Sequence, residues 1–451
     1  MSSPKFETVP MSPTEVKALF EAAAPAAAGT AARTPESEPG PEMERNARMF
    51  TGMSLDTLNR AAGGGSVEDD ARNFVSASPD DLSRWDKWFR ALKDKINVGS
   101  CVALGRLFPH TDPEDFVRWT RMRSARADDA GEPLLADDGR RTLFPLADPE
   151  AFEFRKRVEK LHWVAHSVRM DKEAKDFERL DPAYRTLIER VLGFFGMSDE
   201  GVLEGLDEYY TARIKRKEAQ HYLRAVAEQE SVHSEAYSIQ IEAIVPAARQ
   251  SEVFDAVETM PAVGQMADWM RFWSAGEHSL ADRLLASAHV EGVMFSAQFA
   301  IIQNTKGMNL LDGLTTYNEY IARDENVHTQ FWCFLLRERL VRRPDAAVAA
   351  AIAREVVRLC EAFIDEAIPE PTGGLTATLL KDHVRSVSDN VSVLSGYARL
   401  YDVASPFRFM DNLVLNSVGK TNFFEAEVSQ YQAPEVGAYE FAVLDTPIEG
   451  R

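Results

Sequence analysis

Residues 228–242 read EQESVHSEAYSIQIE, and residues 320–332 read YIARDENVHTQFW. Each carries a Glu-x-x-His pair, Glu230/His233 in the first and Glu325/His328 in the second. On an α-helix, positions i and i+3 share one face, so both side chains of a pair can grip a single ion. Taken singly the pattern is weak. It recurs at Glu159/His162 and Glu218/His221, and with nine histidines in a Glu-rich chain about one chance match is expected.

Context separates the four. Glu230/His233 follows Asp199, set in the apolar stretch VLGFFGMSDEGVL (191–203), and Glu325/His328 follows Glu291, set in ASAHVEGVMFSAQFA (286–300). A helix with one carboxylate, then a helix with Glu-x-x-His, is a unit that occurs twice. Glu218 lies on the same predicted helix as Glu230 but about 120° around it. Glu218/His221 therefore reads as a surface pair.

Helical periodicity predicts helices over 149–173, 182–207, 210–245, 248–258, 278–305, 313–341, 346–367 and 375–400, separated by breaks such as Met260-Pro261 and Pro369–Gly374. Alternating strand-like runs are nearly absent, so the fold class is all-α. Asp199, Glu230, His233, Glu291, Glu325 and His328 then form the dinuclear metal set of ferritin-like helical bundles, with Asp199 where the general pattern has Glu. Four buried carboxylates without counter-charge would cost several kcal/mol each, and two divalent cations balance them. Oxygen and imidazole donors suit iron or manganese.

The flanks differ from this centre. Residues 1–80 are rich in Ala, Pro, Gly, Ser and Glu, a composition that predicts a largely disordered region. Residues 81–130 add a helical extension with no assignable chemistry, 131–432 form the metal domain, and 433–451 form a mobile tail. The net charge of −20 argues against nucleic acid as a partner. No apolar run reaches the length expected of a membrane span. Cys101, Cys333 and Cys360 suit a reducing compartment, and MSSPKFETVP carries no export signal, so a cytoplasmic location is expected.

The quoted stretches, with HVEGVMFSAQFA (289–300), GKTNFFEAEVSQYQ (419–432) and the shorter EPLL (132–135), RRTLFP (140–145), ADWMRFW (267–273) and PFRFMDN (406–412), resemble the small, radical-generating subunit of class I ribonucleotide reductase. The resemblance covers roughly residues 131–432. It implies one metal on Asp199, Glu230 and His233 and a second on Glu291, Glu325 and His328, with Glu230 and Glu325 bridging. It implies two iron ions, with manganese possible on the same ligands, that react with O2 to leave a radical on Tyr237. Phe295, Phe299 and Ile321 share the metal-facing sides of their helices and read as an apolar cage around it. Trp163, Asp324 and Tyr431 match the residues that pass the radical to a large catalytic subunit, which reduces ribonucleoside diphosphates. The tail after Tyr431 docks that subunit in this reading, and a homodimer is expected.

Two rival readings use the same ligands. A small-molecule oxidase needs neither Trp163–Asp324–His233 nor a tail tyrosine, and a metal-storing homologue needs no Tyr237. All are present here.

Overall fold

The computed structural model describes Met53, Leu58 and residues 79–92, 98–124, 129–275, 278–411 and 413. These belong to one unit, Met1–Asn416; the second, Ser417–Arg451, lies outside the described residues. So do nearly all of the low-complexity region, Tyr431 and the tail.

The main helices are α1 Pro79–Leu92, α2 Val98–Leu107, α3 Pro113–Thr120, α4 Pro149–Lys160, α5 Glu173–Arg179, α6 Pro182–Gly205, α7 Lys217–Ile244, α8 Ala247–Phe254, α9 Pro261–Ala275, α10 Leu280–His289, α11 Ser296–Asn304, α12 Asp312–Phe334, α13 Ala346–Ala367 and α14 Ala377–Leu394. Among the described residues the only β feature is an isolated bridge between Thr372 and Leu375. Local chemistry starts several helices. Asp148, Ser279 and Thr376 each accept a hydrogen bond from a backbone N–H in the first turn of α4, α10 and α14, satisfying a donor that has no intrahelical partner.

Helix α6 packs on α7, α10 on α12, α7 on α12 and α6 on α11, so that α6, α7, α12 and the continuous α10–α11 run enclose the core. Between α10 and α11 the segment Val290–Met294 is a π-helix. Its wider turn shifts the phase of the helix at Glu291, a device that recurs at functional sites. The next residue is Gly292, where a Cβ would come within 2.8 Å of Thr329 and Val391. Only glycine lets this helix approach α12 and α14 so closely.

The structure corrects several sequence expectations. The predicted helix over 149–173 stops at Lys160, because Val164 is extended (φ −124°, ψ 146°), and the chain turns through a loop that carries Trp163. The predicted helix over 210–245 is interrupted by extended backbone at Ile214 and Arg216. Helix α9 is absent from the prediction: Pro261 reads as a break but occupies the first helical position, where its missing N–H costs nothing. The stretch Leu280–Met308 is apolar and long enough to cross a membrane by length and composition, contrary to expectation, yet 89% of its apolar window is buried in the protein. It is a core helix.

The extension is bound into the body. Phe108, Phe116 and Trp119 pack against Phe272, and Trp119 also meets Trp269 edge-on at 5.3 Å. Three buried carboxylates of the body take partners from it. Asp268 accepts from His110 N and Thr111 Oγ1, Asp282 from Ser124, and Glu355 from Arg118 and Trp119.

Candidate metal centre

Helix α7 presents Glu230 and His233, α12 presents Glu325 and His328, and the π-helical segment presents Glu291. All five are buried, none more than 3% exposed. His233 Nδ1 lies 3.2 Å from Glu230 Oε2 and 3.3 Å from Glu325 Oε1. His328 Nδ1 lies 3.1 Å from Glu230 Oε1, 3.5 Å from Glu325 Oε2 and 3.6 Å from Glu291 Oε2. Each of Glu230 and Glu325 thus offers one oxygen to each imidazole. Ligand atoms of Glu230, Glu291, Glu325 and His328 fall within 4.8 Å of one another. Asp199 belongs to α6, but its side chain lies outside the described residues.

The donor set fits divalent cations. Glu230 Oε1, Glu291 Oε2, both Glu325 oxygens and His328 Nδ1 are buried without a hydrogen-bond partner, a cost that metal coordination removes. Burial alone lowers the proton affinity of both imidazoles. Even so, Asp324, Glu230 and Glu325 hold His233 well above its ordinary range, and Glu230 and Glu325 do the same for His328. Burial likewise pushes Glu230 up, but the two imidazoles hold it down at about 2. Burial, together with Glu325 and Glu230, raises Glu291 well above the usual carboxylate range against the pull of His328. Cations bound there would take the place of protons on these groups.

On the far side of His233, Nε2 faces Asp324 Oδ2 at 3.4 Å, and the same oxygen accepts from Trp163 Nε1 at 2.7 Å. Tyr237, 2% exposed, stacks on Phe195 with centroids 4.6 Å apart and planes within 5°. Phe195 in turn meets Phe299 at 5.3 Å and Phe295 at 6.2 Å. Phe295, Phe299 and Ile321 are all buried.

Sequence reasoning missed Phe195, although its position at Asp199−4 puts it on the same helix face. It also missed Tyr222, whose buried hydroxyl lacks a hydrogen-bond partner. Gln229 has no local signal, since it reaches His328 on another helix at 3.1 Å. Glu218 corrects an expectation. It is fully buried, takes two 2.9 Å bonds from Arg140 and accepts from Ala147 N. Burial raises its proton affinity, but Arg140 and backbone N–H groups hold it at about 2. Glu218 turns to Arg140 and not to the metal cluster, and it is a buried ion-paired residue, not a surface one. His221 is half-buried, and in the other unabsorbed pair Glu159 and His162 are exposed.

A helical bundle enclosing a carboxylate–imidazole cluster able to hold metal is the class that fold and site define. The chain belongs to the ribonucleotide reductase small chain family, whose description matches residues 140–406. It is 37% identical over 306 residues to a ribonucleoside-diphosphate reductase small chain of African swine fever virus, covering 67% of this chain and 94% of that one. It is 38% identical over 305 residues to small chain 1 of Saccharomyces cerevisiae, covering 67% and 76%. Among solved structures it resembles the ribonucleotide reductase Rnr4 homodimer of Saccharomyces cerevisiae, with TM-score 0.57 and 25% identity over 62% of this chain and 90% of that one. The protein is therefore the small subunit of an oxidoreductase, ribonucleoside-diphosphate reductase, and acts with a large subunit.

Proposed function

We propose that this chain generates and stores a tyrosyl radical on Tyr237 and delivers it to the large subunit, where ribonucleotides are reduced. The observation that carries the reading is the crossed geometry at the cluster, with one oxygen of Glu230 and one of Glu325 facing each imidazole. It supports Glu230 and Glu325 as bridges between two ions, one completed by Asp199 and His233, the other by Glu291 and His328. Two ferrous ions held there would supply two of the four electrons that reduce dioxygen to water, the phenol a third and an outside reductant the fourth; manganese suits the same donors.

The chain's own residues do the rest. Phe195, with Phe295 and Phe299 against it and Ile321 also buried, keeps water and reductants from Tyr237. Asp324 fixes the proton of His233 on Nε2, leaving Nδ1 free to bind metal. The same carboxylate ties that imidazole to Trp163, which supports a transfer route continued by Tyr431. The tail beyond Tyr431 docks the large subunit, through apolar residues such as Phe441, Val443 and Leu444. A homodimer is the assembly that the Rnr4 structure suggests. Cys101, Cys333 and Cys360 are buried free thiols, in keeping with a cytoplasmic home.

The test is iron loading of the apo-protein under nitrogen. Two ferrous ions per chain are expected, and Glu325→Ala should lose tight binding of both. Two ions bound unchanged by Glu325→Ala would remove the bridging assignment.

A further inference from the structure

The two imidazoles of the cluster are held from behind by different groups. His233 Nε2 faces a carboxylate, Asp324, at 3.4 Å. His328 Nε2 faces a neutral amide, the Oε1 of Gln229, at 3.1 Å. Gln229 is 8% exposed, and its Nε2 has no hydrogen-bond partner within the protein. An unpaired buried donor is costly, so a residue placed this way needs a compensating role.

His328 supplies that role. Gln229 lines a cavity of about 310 Å³ together with Val158, Trp163, Ala225, Glu228 and Val232. That volume is room for several waters beside the residue. The orientation of the amide is set by its neighbour. A neutral imidazole that binds metal through Nδ1 carries its single proton on Nε2, and only the amide oxygen can accept it.

We propose that Gln229 is a positioning residue of the metal centre: its carbonyl oxygen holds the proton of His328 on Nε2, which leaves Nδ1 for an ion. The inference rests on the dinuclear reading of the site. It makes the two ion positions unequal. A carboxylate behind a ligand imidazole strengthens it as a donor more than an amide does, so the position served by His328 is the weaker one. Gln229 and Trp163, the indole that shares Asp324 with His233, line the same cavity.

The experiment is a manganese(II) titration of the full apo-chain, read by the electron paramagnetic resonance of free ion, for wild type, Gln229→Met and Gln229→Glu. Wild type should bind two ions. Gln229→Met keeps the bulk and loses the acceptor, and should weaken one position by roughly 10–100-fold while the other stays within a few-fold. Gln229→Glu restores an acceptor and should recover the lost affinity. Unchanged binding in Gln229→Met, or equal weakening of both positions without rescue by Glu, would overturn the positioning role. No manganese bound by wild type would bring down the dinuclear reading itself, and this inference with it.

Discussion

Trp163 donates its indole N–H to Asp324 Oδ2 at 2.7 Å, and that oxygen also faces His233 Nε2 at 3.4 Å. The two rings lie nearly parallel, 21° apart, with centroids separated by 5.9 Å. One carboxylate oxygen therefore joins a partly buried indole to an imidazole with no exposure at all. Asn in place of Asp keeps the shape but cannot serve both donors as an anion. In Asp324→Asn, metal content and radical should persist while reductase turnover with the large subunit falls by roughly 10–100-fold. Radical yield and turnover are measured side by side; if they fall together, Asp324 serves the metal site and not transfer.

Tyr431 lies outside the described residues and enters through the resemblance of VSQYQ to the family tail. Tyr431→Phe should leave the radical intact and abolish turnover with the large subunit. Retained turnover would remove Tyr431 from the route.

The extension should be integral to stability, because Trp119 is fully buried and gives its indole N–H to Glu355 at 2.8 Å. Trp119→Ala should cost about 3–5 kcal/mol, the usual cost of emptying such a site. Urea unfolding followed by fluorescence checks this, and an unmoved midpoint would make the extension dispensable.

Asp268 carries a pH signature. Burial raises it from 3.8 to about 7, against the hydrogen bonds from Thr111 and His110 N and the charge of Arg271. The folded state then holds its proton more tightly than the unfolded chain. Its contribution to stability is complete below 3.8 and is lost as pH climbs to about 7. Asp268→Asn should flatten the decline of the urea midpoint across that window. Parallel profiles for the two proteins would show that Asp268 does not titrate there.

What was legible in the sequence followed helical periodicity. Glu230 and His233 share a face because they are three residues apart, as do Glu325 and His328, and the cluster follows once two such faces meet. Tyr237, one turn beyond His233, is readable in the same way, and Phe195, one turn before Asp199, obeys the same spacing. Contacts between distant segments were not. Nothing near Gln229 announces His328, and nothing in 81–130 names the Trp269–Phe272 surface that it covers. Glu218 was misread because its partner, Arg140, lies in a loop far back in the chain. Helix α9 was lost to Pro261, a residue that breaks a helix from within but opens one at its first position.

The central claim is the radical on Tyr237. The most direct measurement is the electron paramagnetic resonance spectrum of the apo-protein after ferrous iron and oxygen are added, beside the same treatment of Tyr237→Phe. The account predicts a tyrosyl signal in the wild type and none in the variant, with equal iron in both. An equal tyrosyl signal in the variant would move the radical to another phenol, with Tyr222 the first to examine. Full iron uptake with no radical in either protein would contradict the radical function.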